Sequence, residues 1–242
     1  MTPDRIWTPY CGAAPDPNAW LARWNLDPWL IAALAAAVAG LWMWRREPGD
    51  RRWIVAAAGV LAISFISPLC ALSSALFSAR TVHHVLLVTV AAPLLALALP
   101  QLRRSRLGLA TAVQAAVLYV WHAPVLYAAA LSSDAVYWIM QLSLLASAAW
   151  FWASARAASA PGGVAGLLFA MLAMGLLGAL LTFTGQPLYA PHFATTLAWG
   201  LTPLEDQQAA GLIMWAPASA VYLLAALWRL GRLLGPAETR TA

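Results

Sequence analysis

GVAGLLFAMLAMGLLGALLTFT, residues 163–184, contains no charged side chain. A helix needs about 20 mainly apolar residues to cross the hydrocarbon core of a bilayer, so this stretch reads as a membrane span. Six more apolar runs lie at about 28–44, 53–72, 81–99, 108–130, 135–154 and 208–230. The 242-residue chain is 62% hydrophobic and only 10% charged, whereas a soluble domain carries roughly 25% charged residues. Lipid is therefore the solvent for most of the surface, and no length remains for a separate soluble domain. The expected fold is all-α: a polytopic membrane helix bundle of about seven transmembrane helices. Residues 1–27 form a short periplasmic N-terminal segment, 28–234 the transmembrane domain and 235–242 a cytoplasmic tail. The first thirty residues, rich in Pro, Trp and Asp, lack the basic region and apolar core of a cleaved signal peptide.

The connecting segments set the orientation. The net charge of +5 comes from fourteen basic residues, all arginine. Arg45, Arg46, Arg51, Arg52, Arg103, Arg104, Arg106, Arg156, Arg229, Arg232 and Arg240 fall on one side of a seven-span layout, and only Arg5, Arg23 and Arg80 on the other. Positive loops stay in the cytoplasm, which puts the N-terminus outside and the C-terminus inside. Asp4, Asp16, Asp27, Asp134, Glu205 and Asp206 then lie outside. Arginines clustered between apolar runs are a topology signal, so the bilayer is the expected partner and nucleic acid is not. The absence of lysine excludes Schiff-base chemistry. Trp42 and Trp44 suit an interface, Pro68 breaks the second run near its end, and Pro93 and Pro124 kink the third and fourth. The longest connection, 185–207, is long enough to expect a function for it.

No Asp, Glu or Arg lies in the middle of any run, which weighs against a proton pump or ion-coupled transporter. The four histidines gather instead in the outer half. His83 and His84 lie near the outer end of the third run and His192 in the long loop. His122 lies about 12 Å inside the outer end of the fourth run, from the helical rise. Asp206 opens the seventh run, with Met214 two turns further in. Imidazole suits copper, zinc and iron, and thioether or thiolate sulfur suits Cu(I). The pattern predicts a copper site with His84 and His122 as the best ligands and His192, Met214 and Cys70 as weaker ones. Asp206 could ligate or orient a ring. Two ligands on one metal put their nearest nitrogens about 3–5 Å apart. His83 and His84 point about 100° apart on a helix and do not share a centre. Plainer readings stand beside these. A single membrane histidine is as often a hydrogen-bonding residue between helices, and Met140, Met171, Met174 and Met214 read first as packing. Cys11 and Cys70 could be a disulfide, a ligand or two unrelated thiols. No nucleophile, base and acid stand together, so enzymatic activity is not expected.

Several strings in order resemble a known family. They are Ile66-Ser67-Pro68-Leu69, Leu76-Phe77-Ser78 before His84, Ala92-Pro93-Leu94-Leu95, Leu99-Pro100, Trp121-His122-Ala123-Pro124 with Leu126-Tyr127, Trp150-Phe151-Trp152, Pro187-Leu188-Tyr189, Asp206-Gln207-Gln208 and Gly211-Leu212-Ile213-Met214-Trp215. Together they resemble the CtaG-like cytochrome c oxidase assembly factors associated with caa(3)-type oxidases. The resemblance implies a seven-helix protein of the bacterial inner (plasma) membrane that is needed for a functional haem-copper oxidase. It puts His84, His122, Asp206, Gln207, Gln208 and Met214 on family-motif positions. Relatives often carry more histidines at the start of the fifth run, where this chain reads Asp134 to Gln141 without one.

The expected function is a membrane assembly factor that binds or delivers copper at a periplasm-facing histidine site. Its expected partners are cytochrome c oxidase subunits and a periplasmic copper chaperone. A haem-binding electron-transfer protein, with His84 and His122 as axial ligands, is one alternative. A copper transporter is another, but the cytoplasmic half holds no His, Cys or acid to build a path.

Overall fold

A computed structural model of the protein describes residue 7 and residues 9–45, 47–102 and 105–235. Arg5, Asp4, Arg46, Arg103, Arg104, Arg240 and the tail beyond residue 235 lie outside the described residues. The described residues are 79% helical, with no strand among them.

The helices are α1 (Pro28–Trp44), α2 (Pro48–Phe65), α3 (Pro68–Ala75), α4 (Phe77–Val85), α5 (Ala92–Ala98), α6 (Leu107–His122), α7 (Pro124–Ala130), α8 (Asp134–Ala157), α9 (Ala160–Phe183), α10 (Pro203–Ile213) and α11 (Ser219–Leu234). Among the described residues, four helical rods are long and apolar enough to cross a membrane: Phe77–Ala98, Asp134–Ala157, Ala160–Phe183 and Pro203–Leu234. The bent pairs α2–α3 and α6–α7 raise the number to six if each is one span. The remaining apolar helix, α1, is shorter and buries only Leu30. A helix apolar all round with almost nothing buried presents its side chains to lipid. The rod containing α4 and α5 packs against α2, α8 and α10, while α9 packs against α6, α10 and α11.

Proline acts differently in each rod. Residues before proline avoid the α region. Ala123 is accordingly extended, and the chain bends by 78° between His122 and Pro124. The fourth run is thus broken at His122, where α7 turns away from the line of α6. The 12 Å depth inferred from a straight helix does not apply. Ser67 caps α3 through Leu69 N–H at a 44° bend. Pro93, by contrast, is absorbed into a π-turn at Leu86–Ala91, and the rod continues. In a π register the carbonyl of Val88 would bond to residue 93, which has no N–H. The indole N–H of Trp152 donates to that carbonyl instead, at 2.9 Å. A second π-turn, Met214–Ala218, contains Pro217, and the hydroxyl of Ser219 donates to the Met214 carbonyl at 3.1 Å.

The two ends of the bundle differ in chemistry. At one end Arg229 donates to the carbonyls of Ala155, Ala158 and Ser159, and Arg156 to that of Ala96. At the other, Cys11 and Cys70 are joined by a disulfide, Asn25 donates to the Phe65 carbonyl, and Tyr10 donates to Asp27.

Candidate functional site

The site is built on α4, and Asp206 holds the start of that helix. The first N–H groups of a helix have no internal partner. The Asp206 carboxylate, on the first turn of α10, accepts from Phe77 N–H at 2.6 Å, Ser78 N–H at 3.1 Å and the Ser78 hydroxyl at 2.5 Å. Asp206 is itself in place because a capping box starts α10: Thr202 accepts from Glu205 N–H, and Glu205 accepts from Thr202 N–H. The expected ligand or ring-orienting role of Asp206 is therefore corrected. Both of its oxygens are committed to the end of α4, and among the described residues no hydrogen bond joins it to a histidine ring.

Two imidazoles face one another two turns further along. The rings of His84 on α4 and His122 at the end of α6 have centroids 6.0 Å apart and planes at 80°. Both side chains are buried. Neither ring nitrogen of His84 has a hydrogen-bond partner. Nδ1 of His122 lies 2.7 Å from the Leu118 carbonyl, which can only accept. That contact sets the tautomer: Nδ1 carries the proton and Nε2 keeps its lone pair. Tyr189 donates its hydroxyl to the His122 carbonyl at 2.8 Å and stacks on Phe77, fixing the helix end. Two nitrogens at about 2 Å from one ion lie within about 4 Å of each other, a span that ring centres at 6.0 Å accommodate.

The other predicted members stand apart. His192 is saturated: its Nδ1 donates to the Ala75 carbonyl at 3.2 Å and its Nε2 accepts from the Tyr127 hydroxyl at 2.6 Å. Burial, reinforced by the Arg80 charge, pushes its pKa down to about 3. It is a neutral hydrogen-bonding strut that pins the long loop to the end of α3, and its ligand role is corrected. Cys70 is corrected too, because its sulfur is bonded to Cys11 and cannot act as a thiolate. Met214 is buried in the π-turn against Gly178 of α9, a packing position. The His83 ring also lies with its centroid 6.0 Å from that of His84, planes at 69°, and rests edge-on against Phe65, with centroids 4.8 Å apart. Among the described residues no three His, Cys, Asp or Glu side chains gather closely enough to hold a metal ion. A three-ligand zinc site therefore does not fit, whereas the unpaired His84 nitrogens facing His122 fit an ion that accepts two.

Arg80 is the residue the sequence reading misplaced. It was expected in a loop ahead of a span starting at 81. Helix α4 starts at Phe77, and Arg80 is fully buried one turn before His83 and His84. The only signal was its spacing from the two histidines. Tyr137 and Gln141 of α8 are also buried, with the Tyr137 ring beneath the Arg80 guanidinium.

Comparison with known proteins agrees with this architecture. The profile of one family, described as cytochrome c oxidase caa3 assembly factor (Caa3_CtaG), matches residues 35–108 and 103–235. The matches cover most of the chain, so the protein belongs to this family of membrane-helical oxidase assembly factors. No curated protein and no solved structure matches it.

Proposed function

We propose that the protein serves assembly of a haem-copper cytochrome c oxidase by holding copper, as Cu(I), between His84 and His122. The observation carrying this reading is the buried, unpartnered imidazole of His84 facing His122 at 6.0 Å. A buried polar group left without a partner is costly, and an unfilled ligand position is one reason to keep such a group. Cu(I) accepts two imidazoles and would be held here as a soft ion passed to the oxidase. Leu118 keeps the His122 proton on Nδ1, so Nε2 is free to ligate without a prior proton loss. Phe77, at 6.4 Å from the His122 ring, helps keep water from the pair.

The protein would lie in the bacterial inner membrane with seven spans, α1 counted as one. The disulfide and histidine end would face the periplasm, and the Arg156 and Arg229 end the cytoplasm. Oxidase subunits are its partners, and a periplasmic copper chaperone its supplier. The test is a competition titration of purified protein with Cu(I), alongside the copper content of oxidase from cells carrying His84→Leu or His122→Leu. One equivalent bound by wild type, lost in both variants together with oxidase copper, is expected. A fully metallated oxidase in either variant sinks the reading. Visible absorbance bands of bound haem in the purified chain would replace it with the electron-transfer alternative.

A further inference from the structure

Arg80 has no role in the histidine pair or in capping. Its Nε donates to the Ser73 carbonyl at 3.2 Å, and its guanidinium carbon lies 5.4 Å from the centre of the Tyr137 ring. Among the described residues neither Nη1 nor Nη2 makes a hydrogen bond of good geometry, although the neutral hydroxyls of Tyr127 and Tyr137 lie close to the guanidinium. No carboxylate pairs with it: the one ion pair among the described residues joins Arg45 and Asp50, and Asp206 is spent on the start of α4. A guanidinium cannot shed its proton inside a protein. Burial of an unpaired charge costs far more than burial of a neutral polar group, and one aromatic face offsets only part of that.

The neighbours are also unsatisfied. Both ring nitrogens of His83, one turn along α4 from Arg80, are buried without partners. Both amide atoms of Gln141, one turn along α8, also lack a hydrogen bond of good geometry, with the Tyr137 hydroxyl close by. The hydroxyls of Thr81 and Ser74 are buried without partners as well. Residues three or four apart share a helix face, so Arg80 with His83 and Tyr137 with Gln141 form two stripes that meet where Arg80 lies over the Tyr137 ring. The set is rich in donors and carries one positive charge. Water could satisfy its hydrogen bonds but would leave the charge uncompensated.

We propose that Arg80, with His83 and Gln141 beside it, binds a small monovalent anion inside the bundle, either a halide or a carboxylate group. One negative charge balances the guanidinium, which the neutral tyrosine hydroxyls do not, and the two Nη groups match the paired oxygens of a carboxylate. The site needs no copper and is measured without it, so its failure leaves the copper reading standing, and the reverse.

The test follows the thermal midpoint of the purified, copper-chelated full chain. Chloride, bromide, formate or acetate replaces gluconate, which is too bulky to enter, at constant ionic strength. A saturable rise is expected for a small anion, with apparent affinity weakened at least about tenfold in Arg80→Gln, as loss of a charge-assisted bond requires. Gln141→Leu should weaken it less. Saturation by halides alone assigns an inorganic ion. Tighter saturation by formate or acetate assigns a carboxylate. A wild-type midpoint that moves no more than in gluconate overturns the proposal, as does an undiminished response in Arg80→Gln. Should Arg80→Gln fail to fold, chlorine NMR on wild type and Gln141→Leu decides. Line broadening that formate or bromide displaces, and that Gln141→Leu reduces, supports the site; broadening absent from wild type or equal in both overturns it.

Discussion

At the scale of single residues, the polar side chains of this bundle divide into those that close hydrogen bonds and those that leave them open. Asp206 is the clearest of the first kind. Asp206→Ala would strand the buried N–H of Phe77 and the part-buried N–H of Ser78, at about 1–3 kcal/mol for the buried one. Thermal unfolding in detergent should show a loss of that order, and Asp206→Asn, which keeps one acceptor oxygen, a smaller one. His192 links stability to pH. Its folded pKa, about 3, lies below the ordinary histidine value of 6.5. The unfolded chain therefore takes up the proton first as pH falls. The stability this neutral ring supplies is complete above pH 6.5 and declines between there and about 3. His192→Gln should flatten that part of the stability profile; a wild-type profile already flat between those limits would contradict the assignment. The nearness of His84 and His122 was legible only as a shared end of two consecutive runs, not as a depth. The saturation of His192 and the capping by Asp206 were not. Depth says where a side chain lies along the membrane, whereas partners are set by which backbone groups the folded loops bring near.

At the scale of elements, glycine decides how closely two spans approach. A Cβ at Gly178 of α9 would meet the Gly211 carbonyl at 2.7 Å, and one at Gly211 of α10 would meet the Gly178 carbonyl at 2.6 Å. Small residues at such crossings let backbones pack directly. Gly178→Val should force the helices apart and cost about 1–3 kcal/mol, the usual range for overpacking. Gly40, with open space around it, is the control: Gly40→Ala should be neutral or slightly stabilising, read by the same unfolding measurement. The helical runs were visible as apolar stretches, but their ends were not. Pro124 was legible as a disturbance, and its consequence, a helix that stops at His122, depends on the 78° turn that follows. Pro93 carries the same local signal and leaves its rod intact, because Trp152 supplies the missing donor from another span.

At the scale of the whole molecule, orientation and the disulfide bear on each other. Disulfides persist in the oxidising periplasm and rarely in the cytoplasm. Alkaline phosphatase fused within the 185–202 loop should be active, and fused after residue 235 inactive. Non-reducing gels of freshly alkylated membranes should show Cys11 joined to Cys70. The bond closes a loop spanning 59 positions, for which chain entropy sets an upper bound of about 4 kcal/mol. Reduction should lower the unfolding midpoint and open the N-terminal segment to protease. An active phosphatase after residue 235 would reverse the orientation and detach the histidine pair from the periplasmic copper supply.

Residence in lipid and helical class follow from composition and the length of apolar runs, because a bilayer leaves few ways to satisfy a backbone. These properties are local and additive along the chain, so they can be read in order. The burial of Arg80, the saturation of His192 and the pairing of Cys11 with Cys70 come from contacts between distant segments. Asp206 reaches the start of α4 across a separation of 129 residues. Such contacts arise when helices pack, and packing depends on shape across the whole bundle rather than on any window of sequence.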